Sequence, residues 1–466
     1  MSGSKRGRAK AAPASREKQA APPLEYSLLL TATLCLLAFG AVMVFSASSA
    51  RSLLNHGGSG FYYLERTLLF GAIGLVVMRI ASVRGVAAIK TLTPLLLGVS
   101  LFLLFAVLVP GVGHEVNGSQ RWVGAGLLQF QPSELAKLSL VLYGAFLLAK
   151  EPKRARTLSG LGPYLVIVGL ALLLITKEPD LGTSIVASIA VCCVLFLGGV
   201  RARTLAPVGI AIAVIGIGMI ATHPYQEARL TGFMHPNSDT SGAGFQAKQA
   251  TIAIGSGGLF GVGLGESVQK ASYLPEAHTD MVAAVIGEEL GLAGMFVLIG
   301  LFGMFGYAGL RAAHRARDRF SKLLAAGLTS LIMAQAALNL FAVLGLAPLT
   351  GVPLPFVSYG GTSLVMTLAA AGLILNVARK PARAGAAERS SSRSGSGGRR
   401  AAGTPARLRV VEGGTRDARV HRAKRGATRN TKTRRKRAAS GTSRDSGRRH
   451  GGTRRAGDRR RRRASR

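Results

Sequence analysis

Apolar residues run along the middle of the chain in long blocks rich in Leu, Ala, Gly and Val. A bilayer core needs roughly 20 such residues per helix. Ten blocks meet or approach that length: 26–47, 63–82, 91–111, 133–149, 161–177, 183–200, 204–222, 281–310, 322–347 and 354–378. They predict an all-α integral membrane protein, a polytopic bundle of about ten transmembrane helices.

The polar connections alternate in character. The leader, Arg79 to Lys90, Lys150 to Arg156, Arg201 with Arg203, Arg311 to Lys322 and the C-terminal tail are rich in Lys and Arg. The connections between them are poorer, and the longest, 223–280, carries only Arg229, Lys248 and Lys270 against five acids. Basic residues favour the cytoplasmic side. This pattern predicts both termini in the cytoplasm, 112–132 and 223–280 outside, and Asp280 at the outer mouth of the eighth helix.

Composition sharpens the division of the chain. Of 466 residues 48% are hydrophobic, yet the formal net charge is +38. The charge is segregated, because residues 379–466 hold 31 Lys/Arg against 5 Asp/Glu. Three parts follow: a basic leader at 1–25, a membrane domain at 26–378 with a large outer loop at 223–280, and an Arg-rich tail at 379–466. The tail has almost no large apolar residues and is expected to stay disordered. Its charge suits anionic lipid, each basic residue near the surface adding on the order of 1 kcal/mol. An acidic cytoplasmic partner is the alternative. No aromatic or folded reader accompanies the charge, so nucleic acid is not expected as a partner. No cleavable signal peptide is apparent. Cys35, Cys192 and Cys193 fall inside apolar blocks and read as core or lipid-facing residues, not disulfides or metal ligands. The glycine-dense run "AIGSGGLFGVGLGES" matches neither dinucleotide nor Walker patterns. It reads as loop glycine or as close packing, and ATP hydrolysis has no support.

Ionisable groups in apolar blocks are expensive and usually pair or serve a pathway. Three clusters stand out. In "NGSQRWVGAGLLQFQPSELAKLSL", Arg121 and Trp122 lie on an outer loop, Trp122 reading as an interface anchor, and Ser133 is placed to cap the fourth helix. Glu134 and Lys137 are spaced to pair on one helix face, or to shape a cavity for a polar headgroup. In "TKEPDLGTS", Lys177, Glu178 and Asp180 read as a solvated hairpin or as a ligand-contacting rim. In "SVQKASYLPEAHTD", Asp280 stands at a helix entry, fitted either to cap it or to act as a base. Glu288 and Glu289 follow two turns on, and at least one must point into the bundle. His278 reads as a hydrogen-bonding loop residue.

The blocks "GAVMVFSASS", "RWVGAGLLQFQPSELAKL", "EPDLGTS", "GFQAKQATIAIGSGG", "GLGESVQKASYLPEAHTD", "IGEELG" and "PLPFVSYGGTS" occur in this order. On them the membrane domain, roughly 26 to 378, resembles the SEDS family (shape, elongation, division and sporulation). The form S-x-Q-K-x-x-Y-L-P-E-x-H-T-D is closer to the division branch than to the elongation branch, and the sporulation branch is close too. The resemblance implies a peptidoglycan glycosyltransferase that polymerises lipid II, a disaccharide–pentapeptide on undecaprenyl pyrophosphate, at the outer leaflet during septal wall synthesis. It implies Asp280 as the catalytic carboxylate, with Arg121, Lys270 and Arg229 as candidates for countering phosphate charge. Glu134 and Lys137 match the family's polar pair, and His278, Gln269 and Ser358 fall in its motifs as further substrate-binding candidates. The implied partners are lipid II, a class B penicillin-binding protein (an FtsI-like transpeptidase), and other division proteins, among them the tubulin-like ring protein FtsZ through the basic tail. No cofactor is implied with certainty, and a divalent cation, Mg²⁺ or Mn²⁺, stays open. The chain departs from the family where aromatic residues usually follow the final Asp. Met281, Val282, Ala283 and Ala284 stand there, which suggests looser packing. His235-Pro236 replaces a common Asp-Pro. The competing functions are a lipid II flippase, an elongation polymerase, and a non-catalytic scaffold for a transpeptidase.

Overall fold

The computed structural model describes residues 22–379 apart from short stretches at 56–59, 117–118, 125, 127–128, 154–156, 236–241, 273 and 275–276. The leader through residue 21, the tail from 380, Pro236 and Glu276 therefore lie outside the described residues. The bundle opens with α1 (Leu24–Asn55) and α2 (Tyr62–Val107), followed by a small hairpin, β1 (Gly113–Val116) and β2 (Ser119–Val123). Four helices follow: α3 (Pro132–Lys150), α4 (Leu158–Lys177), α5 (Leu181–Leu197) and α6 (Ala202–Thr222). The long connection holds α7 (Pro224–Met234), α8 (Ala243–Ser256) and the single turn α9 (Gln269–Ser272). The chain closes with α10 (Val282–Glu289), α11 (Gly291–Arg315), α12 (Arg319–Val343) and α13 (Gly361–Arg379).

Eight helices among the described residues are long and apolar enough to cross a membrane, and α5 is a shorter apolar helix. One of the eight accounts for two expected spans. α2 is continuous over 46 residues, where 63–82 and 91–111 were expected as separate helices. A straight helix of that length would measure about 69 Å. Yet Tyr63, in its first turn, packs against the ring of His278 at 4.3 Å, while Arg66 and Arg121, which flank its two ends, line one cavity. The chain thus doubles back inside the element. It runs down beside α13, where the Asn376 amide donates to Ser82 O, and returns beside α3, where Ser100 and Ser139 hydroxyls meet at 2.8 Å. The basic segment 79–90 lies at the bend. With α2 counted twice and α5 included, the described residues supply ten apolar passages through the bundle.

Two further spans differ from expectation. The block 281–310 is broken after eight residues, because Gly291 takes φ +63° and separates α10 from α11. A side chain there would collide with the backbone of Leu259 and Gly261. The block 354–378 is helical only from Gly361, and before it the chain runs through the bundle without helix. Leu354, Phe356 and Val357 on that stretch are buried, and Phe356 sits at φ +65°, a conformation bulky side chains seldom adopt. Irregular backbone of this kind is tolerated in a membrane protein where protein or a polar cavity surrounds it. At the opposite end of the bundle, buried Glu25 pairs with Arg315 at 2.6 Å and Arg311 at 3.4 Å, tying α1 to α11.

Local signals behave as their chemistry requires. Pro132 occupies the first turn of α3, and Gln131 is its boundary residue. Ser133, expected as the cap, lies inside the helix instead. Asp180 caps α5 by accepting from Thr183 N, and Asp318 caps α12 by accepting from Ser321 N. Met281, Val282, Ala283 and Ala284 are all 1% exposed or less, so the small residues after Asp280 pack tightly and are not loose.

Candidate active site

A cavity of about 530 Å³ opens at the end of the bundle where the hairpin, α7, α8 and the 277–281 turn meet the irregular 350–360 stretch. Its walls carry Arg66, Arg121 and Arg229, and also Glu134, Asp180 and Asp280. The acids are not equivalent. Glu134 receives Lys137 Nζ at 2.9 Å, and that ammonium also donates to Gln335 Oε1 at 3.0 Å. Asp180 caps α5 and accepts from Gln131 Nε2 at 3.2 Å. Asp280 is half-buried in the turn before α10, with the Thr279 hydroxyl donating to its Oδ1 at 3.3 Å. It does not cap α10: the boundary residue is Met281, and no side-chain capping bond is formed. One of the two roles open to Asp280 from the sequence is therefore closed, and its carboxylate faces the cavity.

The turn is held from behind. Asn339 Nδ2, on α12, donates to Asp280 O and to Val352 O, each at 2.8 Å. His278 O accepts from Tyr359 N, and the His278 ring packs between Tyr63 and Tyr359 at 4.3 and 5.5 Å. Both contacts join the turn bearing Asp280 to the 350–360 stretch.

The guanidinium groups are likewise fixed. Arg121, on β2, donates Nε to Glu178 O at 2.9 Å and a terminal nitrogen to Pro179 O at 2.6 Å. Arg229, on α7, donates to Leu349 O at 2.9 Å and stacks over Tyr225. Arg66 lies over the ring of Tyr62. Three pre-positioned guanidiniums with planar donor forks are suited to a phosphate or pyrophosphate. Trp122, read from sequence as an interface anchor, is on the cavity wall.

Four sequence candidates, Lys137, Lys270, Ser358 and Gln269, are not on that wall; Lys137 reaches it only through Glu134. Lys270 is buried and ion-paired to Glu289 at 2.7 Å, with Ser46 Oγ and Gly265 O completing its shell. It holds α9 to α10 and α1, and its charge is already matched. Ser358 Oγ accepts from Leu354 N, closing a turn of the irregular stretch. Gln269 begins α9, away from the cavity lining. Glu288 and Glu289 are both buried. Glu288 accepts from Ser267 Oγ and Val268 N, and Glu289 from Lys270 and Ser46. Arg66, Gln246, Gln335 and Asn339 were not anticipated as site residues. A basic residue entering an apolar block at the end poor in basic residues was the signal for Arg66. Two amides four residues apart in "AQAALNLF" were the signal for Gln335 and Asn339.

The hairpin "TKEPD" is not a solvated loop throughout: Lys177 is exposed, but Asp180 is buried on the cavity wall, as the rim alternative has it. Glu178 has no exposed surface, and neither carboxyl oxygen has a hydrogen-bond partner. Burial and the neighbouring Asp180 push its pKa up to about 9, against a smaller opposing pull from Arg121. The same carboxyl in the unfolded chain ionises near 4.5, so between those values folding takes up a proton and stability falls as pH rises. Glu178→Gln should remove that dependence. Thermal midpoints of the purified protein should drop from pH 5 to pH 8.5 in the wild type and much less in the variant. Parallel curves would show that Glu178 is ionised in the folded protein.

Among the described residues no group of three or more His, Cys, Asp or Glu side chains is arranged to hold a metal ion.

The apolar helices define a multi-pass membrane protein, with a cavity at one end walled by three guanidiniums and the Asp280 carboxylate. Residues 26–383 match the family described as cell cycle protein, FtsW/RodA/SpoVE, and the chain belongs to that family. It is 40% identical over 360 residues to a protein of Trichlorobacter lovleyi named probable peptidoglycan glycosyltransferase FtsW, covering 76% of this chain and 93% of that one. It is 39% identical over 364 residues to stage V sporulation protein E of Bacillus subtilis, covering 78% and 98%. Among solved structures it resembles a chain of a peptidoglycan synthase complex described as coordinating polymerization and crosslinking. That match has 30% identity and a TM-score of 0.64 over 76% of this chain and 98% of the other.

Proposed function

We propose that this chain is a peptidoglycan glycosyltransferase that polymerises lipid II into glycan strands at the outer face of the cytoplasmic membrane, in septal wall synthesis. The observation that carries the reading is Asp280, a carboxylate with no capping role in a cavity walled by Arg66, Arg121 and Arg229. Asp280 takes the proton of the acceptor sugar 4-hydroxyl. The freed oxygen attacks C1 of the donor sugar, the bond from C1 to the pyrophosphate oxygen breaks, and the lipid pyrophosphate leaves with the electron pair. Asp280 then returns the proton to water. The guanidiniums stabilise the charge that develops on the leaving group, a role in which fixed donors are most effective. Because the donor is already activated by its pyrophosphate, no nucleotide site is needed.

The orientation rests on the basic connections. Segments 79–90, 150–153 and 311–322 lie at the end away from the cavity, and their basic character supports an outer cavity and cytoplasmic termini. A cysteine replacing exposed Lys248 should react with an impermeant thiol reagent on intact cells, and one replacing Arg317 should not. The reverse pattern would put Asp280 in the cytoplasm and end this mechanism. A single-pass class B penicillin-binding protein is the fitting partner, since new strands must be crosslinked where they emerge. A flippase reading is less well supported: Glu134 and Lys137 close on each other and on Gln335, which makes a bracing contact rather than an open polar path. The deciding experiment for the activity is polymerisation of labelled lipid II by the purified protein, with and without that partner. No glycan under either condition would overturn the assignment.

A further inference from the structure

The glycine-dense run has no part in the mechanism above, yet it forms an unusual surface. After α8 the chain passes through Gly257 to Gly265 without regular structure. Leu259 is 66% exposed and Phe260 84% exposed, and Val262 and Leu264 are exposed beside them. Four large apolar side chains on a nine-residue loop are out of place in water, and the loop lies in the connection 223–280 that the sequence places outside.

The backbone of the loop is tied down. Gly258 O and Leu259 O accept from Leu292 N and Ala293 N in the first turn of α11. Val262 N and Gly263 N donate to Glu288 O and Glu289 O at the end of α10. The loop thereby satisfies free amides at the start of one helix and free carbonyls at the end of another, groups that helix ends leave open. Gly261 takes φ +81° and lies against the Glu289 backbone with no room for a side chain. Four backbone groups of the loop are thus satisfied by the neighbouring helix ends, which lowers the cost of taking this part of the backbone out of water. The exposed side chains also adjoin exposed Leu292 and Phe296 on α11, one of the helices suited to span the bilayer.

We propose that Leu259, Phe260, Val262 and Leu264 form a wedge inserted into the hydrocarbon of the leaflet on the cavity side. Its occupant is lipid acyl chain, because the apolar surface is continuous with that of a membrane-spanning helix. The wedge clasps the α10–α11 junction, and so sets the depth of the helix that Asp280 leads into.

The test uses the full chain reconstituted in phosphatidylcholine nanodiscs, with Phe260→Trp and, separately, Leu264→Trp. Wild-type protein supplies the background from Trp122, the sole native tryptophan. Lipids brominated on the acyl chains should quench more than half of the added emission, while aqueous iodide leaves it nearly unchanged. Strong iodide quenching with no effect of bromine would place the loop in water and overturn the proposal. So would emission insensitive to both, which would mean that a second copy of the chain covers the patch. Both substitutions lie at exposed positions, so either one reports if the other fails to fold.

Discussion

Asp280→Asn should insert in the membrane and bind its partner as the wild type does, while glycan polymerisation falls at least about a hundredfold, since positioned general-base catalysis contributes typically 10²–10⁴-fold. Asparagine keeps the size of the side chain but cannot accept a proton at neutral pH. The structure removes the main rival explanation, because Asp280 does not cap α10 and no capping bond is lost. Glu288→Gln and Glu289→Gln, which the sequence suggests as matched controls, are poor ones: each disturbs a buried polar cluster. Glu266→Gln, on the exposed surface of the same connection, removes a charge without that complication. The measurement is glycan chain formation from labelled lipid II by the variant with its cognate transpeptidase. Near-normal chains from Asp280→Asn would exclude it as the base.

The second large effect concerns folding. Lys137 and Glu134 are 2% and 5% exposed and form an ion pair inside the bundle. Removing one partner of such a pair strands the other charge, at a cost of roughly 3–5 kcal/mol, whereas replacing both is often close to neutral. Lys137→Met should therefore lower the thermal midpoint on the order of 10 °C, and adding Glu134→Gln should recover most of the loss. Equal midpoints for the single and double variants would show that the pair contributes nothing to stability. Activity is read separately, because Glu134 also faces the cavity.

The contrast between what the sequence disclosed and what it hid has physical causes. Spans were legible because a bilayer demands about 20 apolar residues wherever a helix crosses, and α3, α4 and α6 end within a few residues of their blocks. The reversal at 79–90 was legible as a basic connection between two spans, but the continuity of α2 through it was hidden, because a polar segment looks like a loop until it is seen to stay helical. The interruption at Gly291 was hidden because a glycine at positive φ looks like any other glycine until the loop that crowds it is known. Asp280 was legible at its helix entry and in its motif. Its supports were not, since Asn339 reaches it across 59 residues and Arg66 arrives from another helix. Lys270 misled for the same reason: the acid that neutralises it lies 19 residues on, brought near only by folding.

One amide nitrogen, on Asn339, holds both the turn that carries Asp280 and the irregular stretch at Val352. With Tyr359 N bonded to His278 O as a second rivet, these two segments can shift only as a single piece. A polymerase must let a lengthening chain slide while its base stays in register with each new sugar. Here Asp280 travels with the irregular stretch, to which Arg229 is also tied through Leu349, so any widening that lets the strand advance has to come from the hairpin side, where Arg121 is anchored instead to Glu178 and Pro179.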